Sequence, residues 1–282
     1  MIRRLGHMRE ITDRYDVLLC DVWGVIHNGI AAWPQACAAL VEAREAGLVV
    51  VLITNSPRPA PAVIRQLDLV GVPANCYDRI VTSGDVTRGL IADGPDQVYF
   101  LGPKRDHDIL EGLNVRIVDE TDAKAVLCTG FFDDERETPA DYRALLERFR
   151  QRDLPFICAN PDLVVERGDR LVYCAGAIAE LYTEMGGETR ISGKPHAPIY
   201  RAALDAARSR LEKIDTDKVL ALGDGLATDV KGALQAGFDV VYISSGIHQN
   251  EYGELDNVDE ARLAAFLGGH GALPKYWMER LT

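Results

Sequence analysis

Residues 16–29 read DVLLCDVWGVIHNG, an apolar run that ends at Asp21 and continues into a segment containing Gly24 and Gly29. A carboxylate at the C-terminal tip of a buried strand, followed by a glycine-containing loop, is a common way to place an acid in an active site. A second carboxylate would help the chemistry most two residues later, but Trp23 stands there. Two alternatives follow: a catalytic site with one acid replaced, or merely the end of a strand.

Seven further apolar runs resemble the one that ends at Asp21. These runs are apolar on both faces, which is typical of parallel strands covered by helices rather than of half-exposed strands. The eight predicted strands are 16–21, 48–55, 79–84, 97–102, 125–130, 155–160, 218–225 and 239–246. Helix-like segments lie between them, among them 33–47, 138–151 and 197–212. Thr138 and Pro139 are expected to begin the second of these helices.

Alternating strands and helices predict an α/β fold with a Rossmann-like, doubly wound parallel sheet. Polar residues follow the strands near both ends of the chain, at Asp21, Thr54-Asn55 and Asp224, whereas few such residues follow the strands in the middle. We therefore expect a core built from residues 1–85 and 189–282. An inserted, smaller α/β cap domain is predicted over residues 86–188.

Composition excludes several classes of function. A formal net charge of −12 argues against nucleic acid as a partner, because phosphate backbones require clustered Lys and Arg. No apolar stretch approaches the ~18–20 residues of a membrane span, and the six cysteines are scattered among apolar runs. The sequence predicts a soluble cytoplasmic protein without disulfides. The C-terminal LPKYWMERL is expected to pack Tyr276 and Trp277 on the core and is one place for a homodimer contact.

Five polar residues have the chemistry that metal-assisted phosphoryl transfer requires. Asp21 offers a carboxylate nucleophile and metal ligand, while GDGLATD supplies two more carboxylates, Asp224 and Asp229. Thr54 offers a hydroxyl and Lys194 a cation for phosphoryl oxygens. Each of them alone has an ordinary explanation as a helix cap, a turn residue or a solvated side chain. Together, in this order and at strand ends or helix starts, they indicate a site.

This set of residues resembles the four motifs of the haloacid dehalogenase (HAD) superfamily. ITNS, GKP and GDGLATD, with CANPD (158–162) and YCAGAIAE (173–180) in the predicted cap, look like its class IIA members, the p-nitrophenyl phosphatase-like and sugar-phosphatase-like hydrolases. The resemblance implies that Asp21 forms an aspartyl-phosphate with a small phosphorylated metabolite, a sugar phosphate or an activated phosphate. It also implies Mg²⁺ as cofactor. The metal ligands that it implies are Asp21, the Trp23 carbonyl group, Asp224 and Asp229.

The resemblance assigns substrate contacts as well. Thr54 and Lys194 would bind the phosphoryl group with help from Asn55. A cap loop around Cys174–Ile178, with Gly176 and Ala177, would face the substrate. Arg58 is either a contact for a substrate anion or a solvated loop residue.

The sequence departs from the family pattern D-x-D-G at Trp23. The second Asp of that pattern serves as general acid and base, and an indole cannot exchange a proton at useful pH. Three hypotheses remain open. In the first, the protein is a working hydrolase with a substitute acid such as His27, or with a substrate whose leaving group needs no proton. In the second, it is a phosphotransferase-like enzyme or a slow phosphatase whose aspartyl-phosphate persists. In the third, it is a catalytically silent phospho-ligand-binding or regulatory protein.

Overall fold

The computed structural model describes residues 2–167, 170–254, 257–271 and 273–282. Within these residues lie sixteen strands and eight α-helices. The strands are β1 (Arg3–Arg4), β2 (Val17–Asp21), β3 (Val49–Thr54), β4 (Arg79–Thr82), β5 (Gln97–Leu101), β6 (Arg116–Ile117), β7 (Ala125–Cys128), β8 (Phe156–Cys158), β9 (Val164–Arg167), β10 (Arg170–Tyr173), β11 (Thr189–Ile191), β12 (Val219–Gly223), β13 (Asp239–Ile243), β14 (Gly253–Glu254), β15 (Asn257–Val258) and β16 (Tyr276–Met278). The helices are α1 (Pro34–Glu45), α2 (Ala60–Val70), α3 (Ser83–Ala92), α4 (Arg143–Gln151), α5 (Ala175–Glu184), α6 (Ala197–Ala207), α7 (Lys231–Gln235) and α8 (Glu260–Gly269).

The chain divides into two compact units. The first unit comprises Met1–Thr54, Ile64–Val81 and Tyr200–Thr282. It contains a seven-stranded sheet in the order β1-β16-β13-β12-β2-β3-β4, with parallel pairing from β1 through β3. Every residue of β2, β3 and β12 is buried, as the uninterrupted apolar runs require of strands that are covered on both faces.

The parallel pairing brings three polar strand ends to one edge of this sheet. Asp21 at the end of β2 pairs with Ile53 of β3, so that Thr54 is the next residue along that edge. On the other side of β2, Leu222 of β12 pairs with Cys20, and Asp224 follows two residues later. Ligands of open parallel sheets bind at the C-terminal ends of the strands, so this edge is the expected position of a binding site.

The second unit comprises Asn55–Val63 and Thr82–Ile199. Its five-stranded sheet has the order β11-β8-β7-β5-β6 and is parallel throughout. On one face of the sheet a core packs around Phe131, Tyr142, Phe149, Phe156 and Tyr182. Strands β9 and β10 form a separate antiparallel pair. The unit extends beyond the predicted residues 86–188 and takes in Asn55–Val63; the role of 86–188 as a cap stays a prediction.

The predicted α/β class with a Rossmann-like parallel sheet is confirmed. Each of the eight predicted strands contains an observed one, and α1, α4 and α6 lie within the three quoted helical segments. One detail differs, because Pro139–Tyr142 forms a 3₁₀ turn before α4 begins. Asp141 Oδ2 accepts a hydrogen bond from the Thr138 backbone N–H at 2.8 Å, so the helical segment begins where the sequence indicates.

The C-terminal residues Tyr276 and Trp277 are buried, as expected, and they do more than pack on the core. They belong to β16, which pairs with β13 and β1 inside the larger sheet. All six cysteines are buried, and none of them forms a disulfide. Over the described ranges, no helix has both the length and the apolar character needed to cross a membrane.

Candidate active site

Three buried carboxylates converge in the first unit. Asp21, Asp224 and Asp229 each contribute one oxygen atom to a group in which all three atoms lie within 4.8 Å of one another. The exposed fractions of the three residues are 6%, 7% and 4%. Three carboxylates this close and this buried repel one another strongly unless a cation offsets their charge. The sequence predicted these three residues as metal ligands, and the structure brings them together.

The carboxylate of Asp224 is held by the backbone around it. Its Oδ2 atom accepts a hydrogen bond from the Ile247 N–H at 2.9 Å. A Cβ atom on Gly246 would lie 2.0 Å from the same oxygen, and one on Gly24 would lie 2.4 Å from it. Both glycines therefore allow the backbone to approach the carboxylate more closely than any side chain would permit. Gly24 also has a φ of +80°, a conformation that favours glycine.

Asp229 is positioned by an unusual turn. Residues Leu226–Val230 form one turn of π-helix ahead of α7, in which the Val230 N–H donates to the Gly225 carbonyl group at 3.1 Å. The wide turn brings the Asp229 side chain back to Gly225, the residue before the turn. There, Asp229 Oδ2 accepts a hydrogen bond from the Gly225 N–H at 3.0 Å. A Cβ atom on Gly223 would lie 2.2 Å from Asp229 Cγ, so the end of β12 also needs glycine. Single π-turns of this kind are frequent at functional sites.

The three carboxylates fit a divalent cation. Mg²⁺ prefers hard oxygen ligands at about 2.0–2.1 Å, so two ligands of one ion lie up to about 4.2 Å apart. The observed group of oxygens, all within 4.8 Å, needs only a small adjustment to share one ion. Asp21, Asp224 and Asp229 are therefore the side chains that would hold it.

The residues predicted to bind phosphate are divided between the two units. Thr54 ends β3 in the first unit and is 6% exposed. Asn55 and Lys194 lie in the second unit, where the structure brings them together. Asn55 Oδ1 accepts from the Lys194 N–H at 2.7 Å, and Asn55 Nδ2 donates to the Lys194 carbonyl group at 3.2 Å. These two bonds fix the backbone of Lys194, which is 2% exposed.

The predicted cap loop around Cys174–Ile178 is in fact the beginning of a helix. Cys174 is the N-cap of α5, and Gly176 and Ala177 are buried in its first turn. A Cβ atom on Gly176 would lie 2.3 Å from the Pro161 carbonyl oxygen, so the helix approaches that segment closely. The run CAGAIAE is rich in alanine, which favours a helix over a loop, and this propensity was the signal that the loop interpretation overlooked.

Sequence reasoning left Asp162 without a role. Its carboxylate accepts a hydrogen bond from Asn55 Nδ2 at 2.8 Å, and its carbonyl group accepts from the Gly176 N–H at 3.1 Å. Asp162 therefore links the Asn55–Lys194 pair to the first turn of α5. The motif CANPD contained this residue, but only the contacts show what it does.

His27, the proposed substitute acid, is a poor proton donor. Its side chain is 1% exposed, and burial lowers its pKa to about 4. Its Nδ1 atom accepts a hydrogen bond from the Gly29 N–H at 2.8 Å, which requires a neutral ring with the proton on Nε2. The ring packs edge-on against Trp23 with 5.1 Å between ring centroids. The structure therefore favours a packed, neutral imidazole at this position.

Arg58 is not a solvated loop residue. Its guanidinium group lies 3.3 Å from Asp108 and 3.7 Å from Asp106, both within the second unit, and only 26% of its side chain is exposed. Two carboxylates already neutralise this cation. A direct contact between Arg58 and a substrate anion is correspondingly less favourable.

Comparison with known proteins identifies the family. The family model described as haloacid dehalogenase-like hydrolase matches residues 18–116, and a second model for HAD-like hydrolases matches residues 191–265. A solved structure of a haloacid dehalogenase-like hydrolase from Brucella suis 1330 is 50% identical, covers 100% of both chains and superposes with a TM-score of 0.89. The chain belongs to the haloacid dehalogenase-like hydrolase family.

This HAD-like hydrolase is also similar to characterised phosphatases. The ribonucleotide monophosphatase NagD of Escherichia coli is 26% identical over 86% of this chain and 90% of its own length. The D-glycerol 3-phosphate phosphatase of Mycobacterium tuberculosis is 28% identical over 86% of this chain and 66% of its own. A p-nitrophenyl phosphatase from Archaeoglobus fulgidus shares the fold at 22% identity, with a TM-score of 0.72 over 94% of this chain and 96% of that one. The predicted resemblance to class IIA enzymes is confirmed.

Proposed function

We propose that this HAD-like hydrolase is a Mg²⁺-dependent phosphatase that acts on a small phosphorylated metabolite. The observation that carries the proposal is the convergence of Asp21, Asp224 and Asp229 within 4.8 Å at the C-terminal edge of the parallel sheet. Two relatives, named for ribonucleotide monophosphates and for D-glycerol 3-phosphate, support a small phosphorylated molecule as the substrate without fixing its leaving group.

Each residue has a role in this proposal. Asp21 attacks the phosphorus atom and forms an aspartyl-phosphate, which water then hydrolyses. Asp224, Asp229 and the Trp23 carbonyl group would hold Mg²⁺ together with Asp21, and the ion would supply positive charge to offset that of the phosphoryl group. Thr54 and Lys194 bind the phosphoryl oxygens, and Asn55 fixes Lys194 through its two hydrogen bonds.

The remaining site predictions concern the second unit. We propose that residues 86–188 act as the cap, and that Gly176 and Ala177 contribute to the substrate-binding surface at the start of α5. A homodimer stays a prediction.

A catalytically silent phospho-ligand-binding or regulatory protein is the second candidate. Trp23 favours it, because this indole stands where the family carries its general acid and base. The three converging carboxylates serve metal binding under either function.

Hydrolysis of p-nitrophenyl phosphate and acetyl phosphate tests the proposal. Wild type should hydrolyse one or both with Mg²⁺ and not with EDTA. Asp21→Asn should lower kcat by more than about 10³-fold, because the nucleophile is lost. Asp68→Asn, a substitution of the same kind at an exposed position, should leave the rate unchanged.

The second candidate makes the opposite prediction for wild type. A protein that turns over neither compound, yet binds a phosphorylated metabolite in calorimetry only when Mg²⁺ is present, is a binder and not a phosphatase. Turnover that persists in Asp21→Asn would contradict the assignment of the nucleophile.

A further inference from the structure

The indole of Trp23 is confined on two sides. A Cβ atom on Gly29 would lie 2.5 Å from both Cζ2 and Cη2 of the ring, so the glycine backbone lies directly against it. The imidazole of His27 contacts the ring edge-on, at 5.1 Å between centroids and 69° between planes. Trp23 itself is only partly buried. Its orientation is therefore set by the loop, and part of its surface is exposed.

The backbone on each side of Trp23 borders the carboxylate group. Asp21 stands two residues before it, at the end of β2. Gly24 follows it directly, and a Cβ atom there would lie 2.4 Å from Asp224 Oδ2. The backbone of Trp23 is thus placed beside the atoms where phosphoryl transfer is proposed to occur.

We propose that Trp23 is a specificity-determining residue that restricts this hydrolase to phosphates whose leaving group departs as a stable anion. Acyl phosphates and aryl phosphates form the substrate class. The inference rests on the proposed phosphatase function. An indole supplies no proton, so a leaving oxygen must depart unprotonated, and it provides instead an apolar face for an aryl or acyl group.

The chemistry balances without a general acid. A carboxylate oxygen of Asp21 bonds to phosphorus as the bond between phosphorus and the leaving oxygen breaks, and the electron pair departs with that oxygen. Water then bonds to phosphorus as the bond from phosphorus to Asp21 breaks, which regenerates the carboxylate. Both protons of the water end on inorganic phosphate or in solvent.

A series of substituted phenyl phosphates, with acetyl phosphate and glycerol 3-phosphate at its two ends, tests the inference through kcat/KM. For wild type, log kcat/KM should fall steeply as the basicity of the leaving group rises. Trp23→Asp should flatten this dependence and raise kcat/KM for glycerol 3-phosphate by about 10²-fold or more, the usual contribution of a general acid. Loss of packing alone would lower all rates without changing the slope.

A second pair of variants keeps the tryptophan, and one variant of the pair should displace its ring. Gly29→Ala forces a methyl group into the ring, whereas Gly71→Ala has nothing within 4 Å. The two glycines have nearly the same φ, +84° and +87°, so both variants carry the same backbone strain. Gly29→Ala should change the ratio of aryl to alkyl phosphate hydrolysis about tenfold, and Gly71→Ala should not change it.

The outcomes separate the inference from the function on which it rests. Wild-type kcat/KM values that are similar for alkyl and aryl phosphates, or a slope unchanged in Trp23→Asp, overturn the role of Trp23 and leave the phosphatase function standing. Failure to hydrolyse any member of the series overturns the phosphatase function and this inference with it.

Discussion

The carboxylate of Asp224 shows how much a single side chain depends on its neighbours. One of its oxygens is fixed by the Ile247 N–H and lies where a Cβ atom on Gly246 or Gly24 would stand. Backbone contacts of this kind orient a metal ligand before the ion arrives, so that less order has to be imposed on binding. Substitutions at the glycines therefore act on the metal site without removing any ligand.

Gly246→Ala should weaken Mg²⁺ binding by roughly 10–100-fold, the range found for groups that orient metal ligands. The added methyl group would lie 2.0 Å from Asp224 Oδ2 and must displace it. Isothermal titration calorimetry with Mg²⁺ measures the effect. Gly268→Ala, in α8 with nothing within 4 Å of the new Cβ atom, is the control. Equal affinities in the two variants would show that Asp224 tolerates the displacement.

The sequence predicted which three carboxylates come together, but it gave almost no indication of the residues that hold them in place. Asp21 and Asp224 could be placed together because the ends of parallel strands share one edge of a sheet. Gly246 is 22 positions from Asp224 in the chain, and no periodicity or motif connects the two. Its role depends on an interatomic distance that only the folded chain defines. The same is true of Gly29, whose close contact with Trp23 is invisible in the sequence.

The π-turn at Leu226–Val230 explains how two carboxylates five positions apart in the chain, Asp224 and Asp229, come close together. The sequence predicted a glycine-rich loop that enters a helix, and α7 does follow. It did not predict the π-turn, because five residues are too few for the longer period of such a turn to be distinguished from that of an α-helix. That turn carries Asp229 back to the Gly225 N–H. The functional geometry therefore lies in a local departure from the regular element.

The 3₁₀ helix Lys104–Leu110 of the second unit contains a titrating group. Asp106 is 4% exposed, and burial raises its pKa from 3.8 to about 6, although Arg105 and Arg58 oppose the rise. The native protein therefore binds more protons than the unfolded chain between about pH 4 and pH 6. Stability from this group is fully present below that window and is lost as the pH rises through it.

Asp106→Asn should remove this dependence on pH. Relative to the variant, wild type should lose up to roughly 3 kcal/mol of unfolding free energy between pH 4 and pH 7, the equivalent of about two pKa units. Urea unfolding of both proteins at several pH values gives the difference. Burial lowers the pKa of His27, so the contribution of His27 to stability rises with pH, opposite to that of Asp106. This contribution is the same in both proteins and cancels in the comparison. Parallel curves for the two proteins would mean that Asp106 titrates normally.

For the whole molecule, the strands that lie in long apolar runs were predictable and the short or half-exposed strands were not. Eight observed strands lie within the eight long apolar runs, because a buried parallel strand needs no polar face. Short or half-exposed strands gave no such signal, among them β6, β11 and the β9–β10 pair. The segment that forms β16 was predicted to pack on the core but not to form a strand, since its pairing with β13 joins residues far apart in the chain.

The negative net charge of the chain opposes phosphate binding unless the site itself offsets it. The chain carries −12 at neutral pH, so its overall field repels a phosphate dianion. Three buried carboxylates in the first unit add to this repulsion wherever the substrate approaches them. A divalent cation offsets most of the negative charge of these three carboxylates, and for this reason metal binding should be coupled both to substrate binding and to the stability of the fold.

Mg²⁺ should therefore raise the melting temperature of the intact protein. At 100 times its Kd, a ligand that binds only the native state adds about 2.7 kcal/mol. For a protein of this size each kilocalorie corresponds to roughly 2–4 °C. Calorimetric scans in MgCl₂ and in NaCl of equal ionic strength measure the specific effect. Because Asp21, Asp224 and Asp229 all belong to the first unit, its transition should shift where the two units melt separately.

Asp229→Asn removes one carboxylate, while the oxygen of the new amide can still accept the hydrogen bond that the Gly225 N–H donates to Asp229 Oδ2. Its melting temperature should respond to MgCl₂ no more than to NaCl, while Asp68→Asn, at an exposed position, should respond as wild type does. The loss of one buried negative charge should also make the metal-free variant at least as stable as metal-free wild type, since two carboxylates repel less than three. A variant that still gains stability from Mg²⁺ would place the ion elsewhere than among these carboxylates.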